Sequence, residues 1–161
     1  MKHVIIAIFY LSLFACSPLS SQTPTQAAIP VDSDPEMDAA FQQARDTLDS
    51  FIERIGTAHP GRTLVAVKVR FLPPDGIPQD IWVDEISYQD GSFRGTMGDD
   101  IPSLRLSVAD KITIAREDIV DWMIVEDGKL IGGYTIRLAF QRMSPEQKER
   151  FLATVNYSIE D

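Results

Sequence analysis

From Asp34 the apolar positions recur at helical spacing: Met37, Phe41, Ala44, Leu48, Phe51, Ile52 and Ile55. Such a stripe marks an amphipathic helix that buries one face. Asp34 suits the N-cap, Pro35 suits the first helical position, and Gly56 ends the run. The period then changes to two. In TLVAVKVRFL, Leu64 and Ala66 fall on one parity and Val65, Val67, Val69 and Phe71 on the other, which predicts a strand. Pro73-Pro74-Asp75-Gly76 turns the chain. Asp80 to Gln89 (DIWVDEISYQ) returns as a second strand with Trp82 on one face. Asp90-Gly91 is a tight-turn signal, and Ser92 to Met97 completes a three-strand meander. Lys111 to Ala115 and Ile119 to Val125 read as further short strands, with Asp127-Gly128 as the last tight turn.

Residues 130–142 satisfy both periods. Tyr134, Ile136, Leu138 and Phe140 alternate as a strand would, whereas Ile136, Phe140 and Met143 also fit a helix. Ser144-Pro145-Glu146-Gln147 is a capping box that opens a final helix, Pro145 to about Thr154. Short strands bracketed by helices predict one α+β domain over residues 35–161. Its expected form is a small, antiparallel, curled sheet of about five strands, with an N-terminal amphipathic helix and C-terminal helices. About 127 residues suffice for one such core.

The pattern before Asp34 is different. Lys2 and His3 precede an apolar run of 12 residues, Val4 to Ala15. A bilayer-spanning helix needs about 20, so the run fits a secretory signal instead. It ends in Leu13-Phe14-Ala15-Cys16, which resembles the bacterial lipobox, with Phe14 bulkier than the usual occupant. That resemblance implies cleavage after residue 15 and acylation of Cys16, the lipid anchor. Cys16 is also the single cysteine, so no disulfide can form within the chain. Ser17 rather than Asp follows it, which by resemblance to enterobacterial sorting favours the outer membrane. Residues 17–34, with three prolines and no periodicity, read as a disordered tether. It reaches about 60 Å extended and nearer 25 Å relaxed. The expected location is the cell envelope, anchored in a membrane and facing the periplasm.

Charge narrows the partners. The chain carries 15 Lys and Arg against 24 Asp and Glu. Loss of residues 1–15 removes Lys2 and no acid, leaving 14 basic against 24 acidic side chains, a net charge of −10. Nucleic acid is excluded as a direct partner, and membrane attachment must come from lipid rather than from a basic face. After cleavage His59 is the one histidine, in the loop Ala58-His59-Pro60-Gly61. A Ser-His-Asp triad, a Cys-His pair and a histidine zinc site all need groups this chain lacks. Acids are plentiful, at Asp84-Glu85, Asp99-Asp100, Glu117-Asp118, Asp121 and Glu126-Asp127. None is spaced as a calcium loop, and no glycine loop ends in Lys-Ser or Lys-Thr to cradle phosphate. The expectation is therefore no cofactor, no metal and no catalytic residue.

The stretch DWMIVEDGKLIGGYTIR, Asp121 to Arg137, is the most specific in the chain. With the strand DIWVDEI and the terminal SPEQKERF, it resembles the bacterial domain-of-unknown-function 2314 family, also called YegJ-like. The resemblance rests on Asp121, Trp122, Met123, Asp127, Gly128, Gly132, Gly133, Thr135, Ile136 and Arg137. It is strongest over residues 63–142 and implies a small α+β domain, with 130–142 helical. It implies no activity and no established functional residues. From the residues themselves, Trp122 is expected in the core, its indole N–H needing a buried acceptor such as Asp121 or a backbone carbonyl. Gly132-Gly133 allows a sharp strand-to-helix junction. Two bare amides at that helix start, with Arg137 one turn on, could also form a small anion pocket. The candidate binding residues are thus Asp121, Trp122, Gly132, Gly133, Tyr134 and Arg137. The expected function is a lipid-anchored interaction module for an envelope protein or component. The alternatives are a carboxylate-dependent envelope hydrolase, which needs two acids about 5–10 Å apart across a cleft, and an immunity-type protective lipoprotein whose acidic surface suits a basic toxin.

Overall fold

The computed structural model describes residues 34–160. The expected signal sequence, Cys16 and residues 17–33 of the expected tether lie outside the described residues. The first helical stretch is two helices, α1 (Pro35–Asp46) and α2 (Leu48–Gly56). The Asp34 side chain accepts from the Met37 amide, and Pro35 occupies the first turn, as the sequence predicts. The division at Thr47 was not predicted. There the Trp122 indole donates to the Ala44 carbonyl and to Thr47 Oγ1, each at 3.1 Å. A side chain inserted into the helical ladder is a physical cause of a break.

Six strands follow: β1 (Arg62–Phe71), β2 (Gln79–Gln89), β3 (Ser92–Met97), β4 (Lys111–Ile114), β5 (Ile119–Glu126) and β6 (Lys129–Gly132). They form one antiparallel sheet in the order β4-β3-β2-β1-β5-β6. The class is α+β as expected, with one strand more than predicted. Residues 130–142 are neither all strand nor all helix. Asp127 and Gly128 both take positive φ, +48° and +73°, which closes the β5–β6 hairpin. Gly132 and Gly133, at +70° and +63°, then turn the chain into α3 (Tyr134–Arg142). The final helix, α4 (Pro145–Thr154), begins with both capping-box bonds formed.

The sheet has to coil. Ile114 ends β4 and Ile119 begins β5, and five residues reach at most ~17 Å. In a flat sheet β4 and β5 would stand four spacings, ~19 Å, apart. The connection closes because the sheet curls around a core in which Ile114 and Ile119 both lie. That core sets Val67, Val69, Val83, Phe93, Trp122 and Ile124 against Leu48 and Phe51 of the helices. A smaller cluster on Ala66, Met123, Val125 and Leu130 is covered by Ile136 of α3 and by Tyr157 and Ile159 near the C-terminus.

Candidate functional site

The signature residues converge where α3 begins. A bulge at the start of β5 puts Val69 opposite Ile119 but Lys68 opposite Asp121, so Val120 is extra. Bulges re-aim side chains, and immediately after this one Asp121 and Trp122 point to opposite faces of the sheet.

Trp122 enters the larger core. Its ring lies 5.1 Å from that of Phe51 and meets Tyr134 edge-on at 5.8 Å. The acceptors of its N–H are the Ala44 carbonyl and Thr47, not Asp121. Gly132 exists for this ring. A Cβ there would stand 2.5 Å from Trp122 Cε3 and 2.5 Å from the Trp122 carbonyl oxygen. The Gly133 amide donates to that carbonyl at 2.7 Å, pinning the strand-to-helix junction.

Asp121 is fully buried. One oxygen, Oδ1, accepts from the Trp122 amide at 2.8 Å and the Tyr134 amide at 3.2 Å. The other, Oδ2, accepts from the Thr135 amide at 2.8 Å and the Thr135 hydroxyl at 2.7 Å. The carboxylate thus takes the amides of the first turn of α3, where the helix presents partial positive charge. The site proposed for an external anion is filled by the protein's own anion.

Lys68 of β1 completes the network. It donates to Thr135 Oγ1 at 2.7 Å, and its ammonium lies 5.0 Å from the centre of the Trp82 ring. Register explains the row, since Lys68 stands opposite Trp82 on β2 and Asp121 on β5. Burial pushes the Asp121 carboxyl above its ordinary pKa, opposed by the Thr135 and Trp122 donors and by the Lys68 charge. Burial likewise pushes Lys68 down, opposed by Asp121 and Asp80.

Arg137 turns away from the helix start. It donates to the carbonyls of Gly132 at 2.8 Å, Leu130 at 2.6 Å and Glu160 at 2.5 Å. Gly128 and Leu130 also bond the backbone of Ser158. The outer edge of β6 is thereby occupied by Arg137 and the C-terminal segment, which removes it as a template for strand pairing.

Of the six candidates, the structure brings Asp121, Trp122, Gly132, Gly133 and Tyr134 into one assembly and places Arg137 on the sheet edge beside it. Sequence reasoning missed Thr47 and Lys68. Lys68 carried a signal, a cation flanked on both sides by the apolar residues of VAVKV.

The antiparallel pair α1 and α3 is latched at both ends. Tyr134 donates its hydroxyl to Thr47 at 2.9 Å, and Arg142 holds Asp34 and Glu36. The Arg142 guanidinium lowers the Asp34 pKa to about 2. Between the latches the small side chains Ala39 and Ala40 leave a groove of about 710 Å³ facing Leu138, with β6 as its floor and Gln43 and Gln141 at its rim.

Glu126, 4% exposed, is shared by Arg54 and Arg62. His59 sits in an exposed loop, 3.8 Å from Asp127. Asp84, on the less covered part of the sheet, is raised above its ordinary pKa by burial and by Glu85 beside it. Among the described residues there is no cluster of His, Cys, Asp and Glu able to hold a metal ion. No described helix is long and apolar enough to cross a membrane.

A family model described as "Uncharacterized protein conserved in bacteria (DUF2314)" matches residues 34–157. The uncharacterized protein YegJ of Escherichia coli (strain K12) is 30% identical over 102 residues, which cover 62% of this chain and 64% of that protein. The match therefore spans less than two thirds of that relative's length. No solved structure matches. The family match takes in every element from α1 to α4 together with the Asp121–Trp122–Gly132–Gly133 assembly, and the chain belongs to the DUF2314 family.

Proposed function

We propose that this chain is a lipid-tethered, non-catalytic binding module of the bacterial cell envelope, and that the groove between α1 and α3 receives its partner. The observation that carries this reading is the consumption of the signature's polar groups. Asp121 accepts four hydrogen bonds, the Trp122 indole has two acceptors, and Arg137 serves three carbonyls. A reaction centre keeps a nucleophile, acid or base free to meet substrate; this one spends its groups on fixing the junction of sheet and helix. What that rigid junction frames is a concave surface with an apolar floor and polar rim, the usual form of a binding site.

Attachment is tested with Cys16→Ser, which should move the mature protein from the membrane to the soluble fraction. Binding is tested by capture from solubilised envelopes with the acylated chain and with Ala39→Glu. Ala39 is an exposed helical position lining the groove, so the variant should fold and lose its partner. Equal capture by both would remove the groove from the proposal. Turnover of a glycan or peptide abolished by changing one Asp or Glu would replace binding with hydrolysis.

A further inference from the structure

Among the described residues four large apolar side chains stand exposed: Leu72 at 69%, Ile77 at 66%, Val108 at 59% and Leu152 at 42%. The two most exposed flank a single turn, the loop joining β1 to β2. The turn is held by its own bonds. The Gly76 amide donates to the Pro73 carbonyl at 2.9 Å, and the Ile77 amide donates to the Asp75 carboxylate at 3.1 Å. Pro73, Pro74 and Pro78 restrict the backbone further. Leu72 and Ile77 are therefore presented on a preorganised tip, which keeps the entropy cost of burying them low. Charge around the tip is small. Asp75 is its one acidic side chain, and Arg70 and Asp80 at its base pair through two bonds of 2.8 Å.

The position of the tip is as informative as its composition. Arg70, two residues before Leu72, stacks on Phe41 of α1 at 4.8 Å. At the other end of β1, Arg62 donates to the Arg54 carbonyl of α2. The α1–α2 pair thus runs antiparallel to β1, and the tip leaves the domain at the end where the chain enters α1 at Asp34. The β3–β4 connection, which carries Val108, leaves the sheet where the Gly98 amide meets the Trp82 carbonyl near the start of β2. Three of the four exposed apolar side chains therefore belong to loops at the strand ends nearest the entry of the chain.

We propose that the β1–β2 tip, through Leu72 and Ile77, inserts among the acyl chains of the bilayer that anchors the protein. This rests on the reading of Cys16 as a lipid anchor. Two aliphatic side chains bind a bilayer too weakly to hold a free protein. Covalent attachment through Cys16 raises the effective concentration at the bilayer to the millimolar range, where marginal insertion is populated. The chain is acidic and is repelled by an anionic surface, so the contact is apolar and is strengthened rather than weakened as salt screens that repulsion. Insertion sets the orientation of the domain on its membrane, which attachment at one point alone cannot do.

The test uses the full acylated chain in vesicles of phosphatidylethanolamine and phosphatidylglycerol. Cys16 carries lipid, so a single introduced cysteine takes an environment-sensitive dye. Labels at Leu72→Cys and Ile77→Cys should shift their emission to the blue and lose intensity with a quencher-bearing lipid, at least as strongly at high salt as at low. A label at Leu152→Cys, equally apolar in origin but on α4, should do neither. All three sites are exposed, and matching melts of the variants and the parent chain confirm that the fold is intact. If the chain floats with the vesicles while no label responds, the tip does not insert and the anchor stands. If the unlabelled chain does not float, the anchor and the tip fall together. A response at Leu72 and Ile77 that needs added envelope proteins would identify a protein pocket and overturn the lipid assignment.

Discussion

Replacing Asp121 with Asn separates the two effects that act on this carboxylate. The side chain is fully buried and accepts four hydrogen bonds. Asn keeps one oxygen, enough for the Trp122 and Tyr134 amides. Its NH₂ group then faces the Thr135 amide, a donor against a donor. One buried donor left without a partner costs about 1–3 kcal/mol, and the charge-assisted bonds that remain are weakened. Relief from burying a charge works in the opposite direction. The expected balance is a loss of about 2 kcal/mol, read by urea titration, or roughly 6–10 °C in Tm for a domain of this size. The pH dependence gives a second signature. Burial raises the folded pKa of Asp121 above its ordinary value of 3.8. The folded state therefore binds this proton more tightly than the unfolded state. Stability from this group is fully present below pH 3.8 and is lost as pH rises through the folded value. The gap between the parent chain and Asp121→Asn should accordingly widen as pH falls from neutral toward 4. A variant as stable as the parent at neutral pH would show that the burial penalty, not the helix-start bonding, dominates.

Gly132→Ala should destabilise by about 3 kcal/mol or more, since a Cβ would meet the Trp122 ring and carbonyl at a positive φ; near-UV circular dichroism of the tryptophan should change with it. Glu126→Gln removes the acid that Arg54 and Arg62 share, at an expected cost of about 2 kcal/mol because both arginines keep some access to water. The Arg54 hydrogen bond leads in holding the Glu126 pKa below 4.5, so this contribution is present above pH 4.5 and fades as pH falls through the lower folded value. Acid titrations of the parent chain and Glu126→Gln should converge there. A chelator should leave the melting temperature unchanged, whereas loss of a structural metal would lower it.

Local rules determined much of this molecule. The stripe from Met37 to Ile55 required a helix, the alternation from Leu64 to Phe71 a strand, and Asp90-Gly91 and Asp127-Gly128 tight turns with positive φ. Ser144 and Gln147 form their capping box because both partners lie three residues apart. Each of these outcomes depends on groups within about one helical turn or one strand spacing, so the sequence alone can state them. The break at Thr47 depends on an indole 75 residues away, which no local pattern reports. Periodicity marked Trp122 as buried but could not name its acceptors, because distant carbonyls and hydroxyls were equally eligible. The same is true of Asp121, three of whose four donors lie on a helix that starts 13 residues later. Bare amides at a helix start attract an anion, and the sequence left open which one. Tertiary structure decided it, because the bulge at Val120 aims Asp121 at that position and a buried carboxylate is stable only where donors surround it.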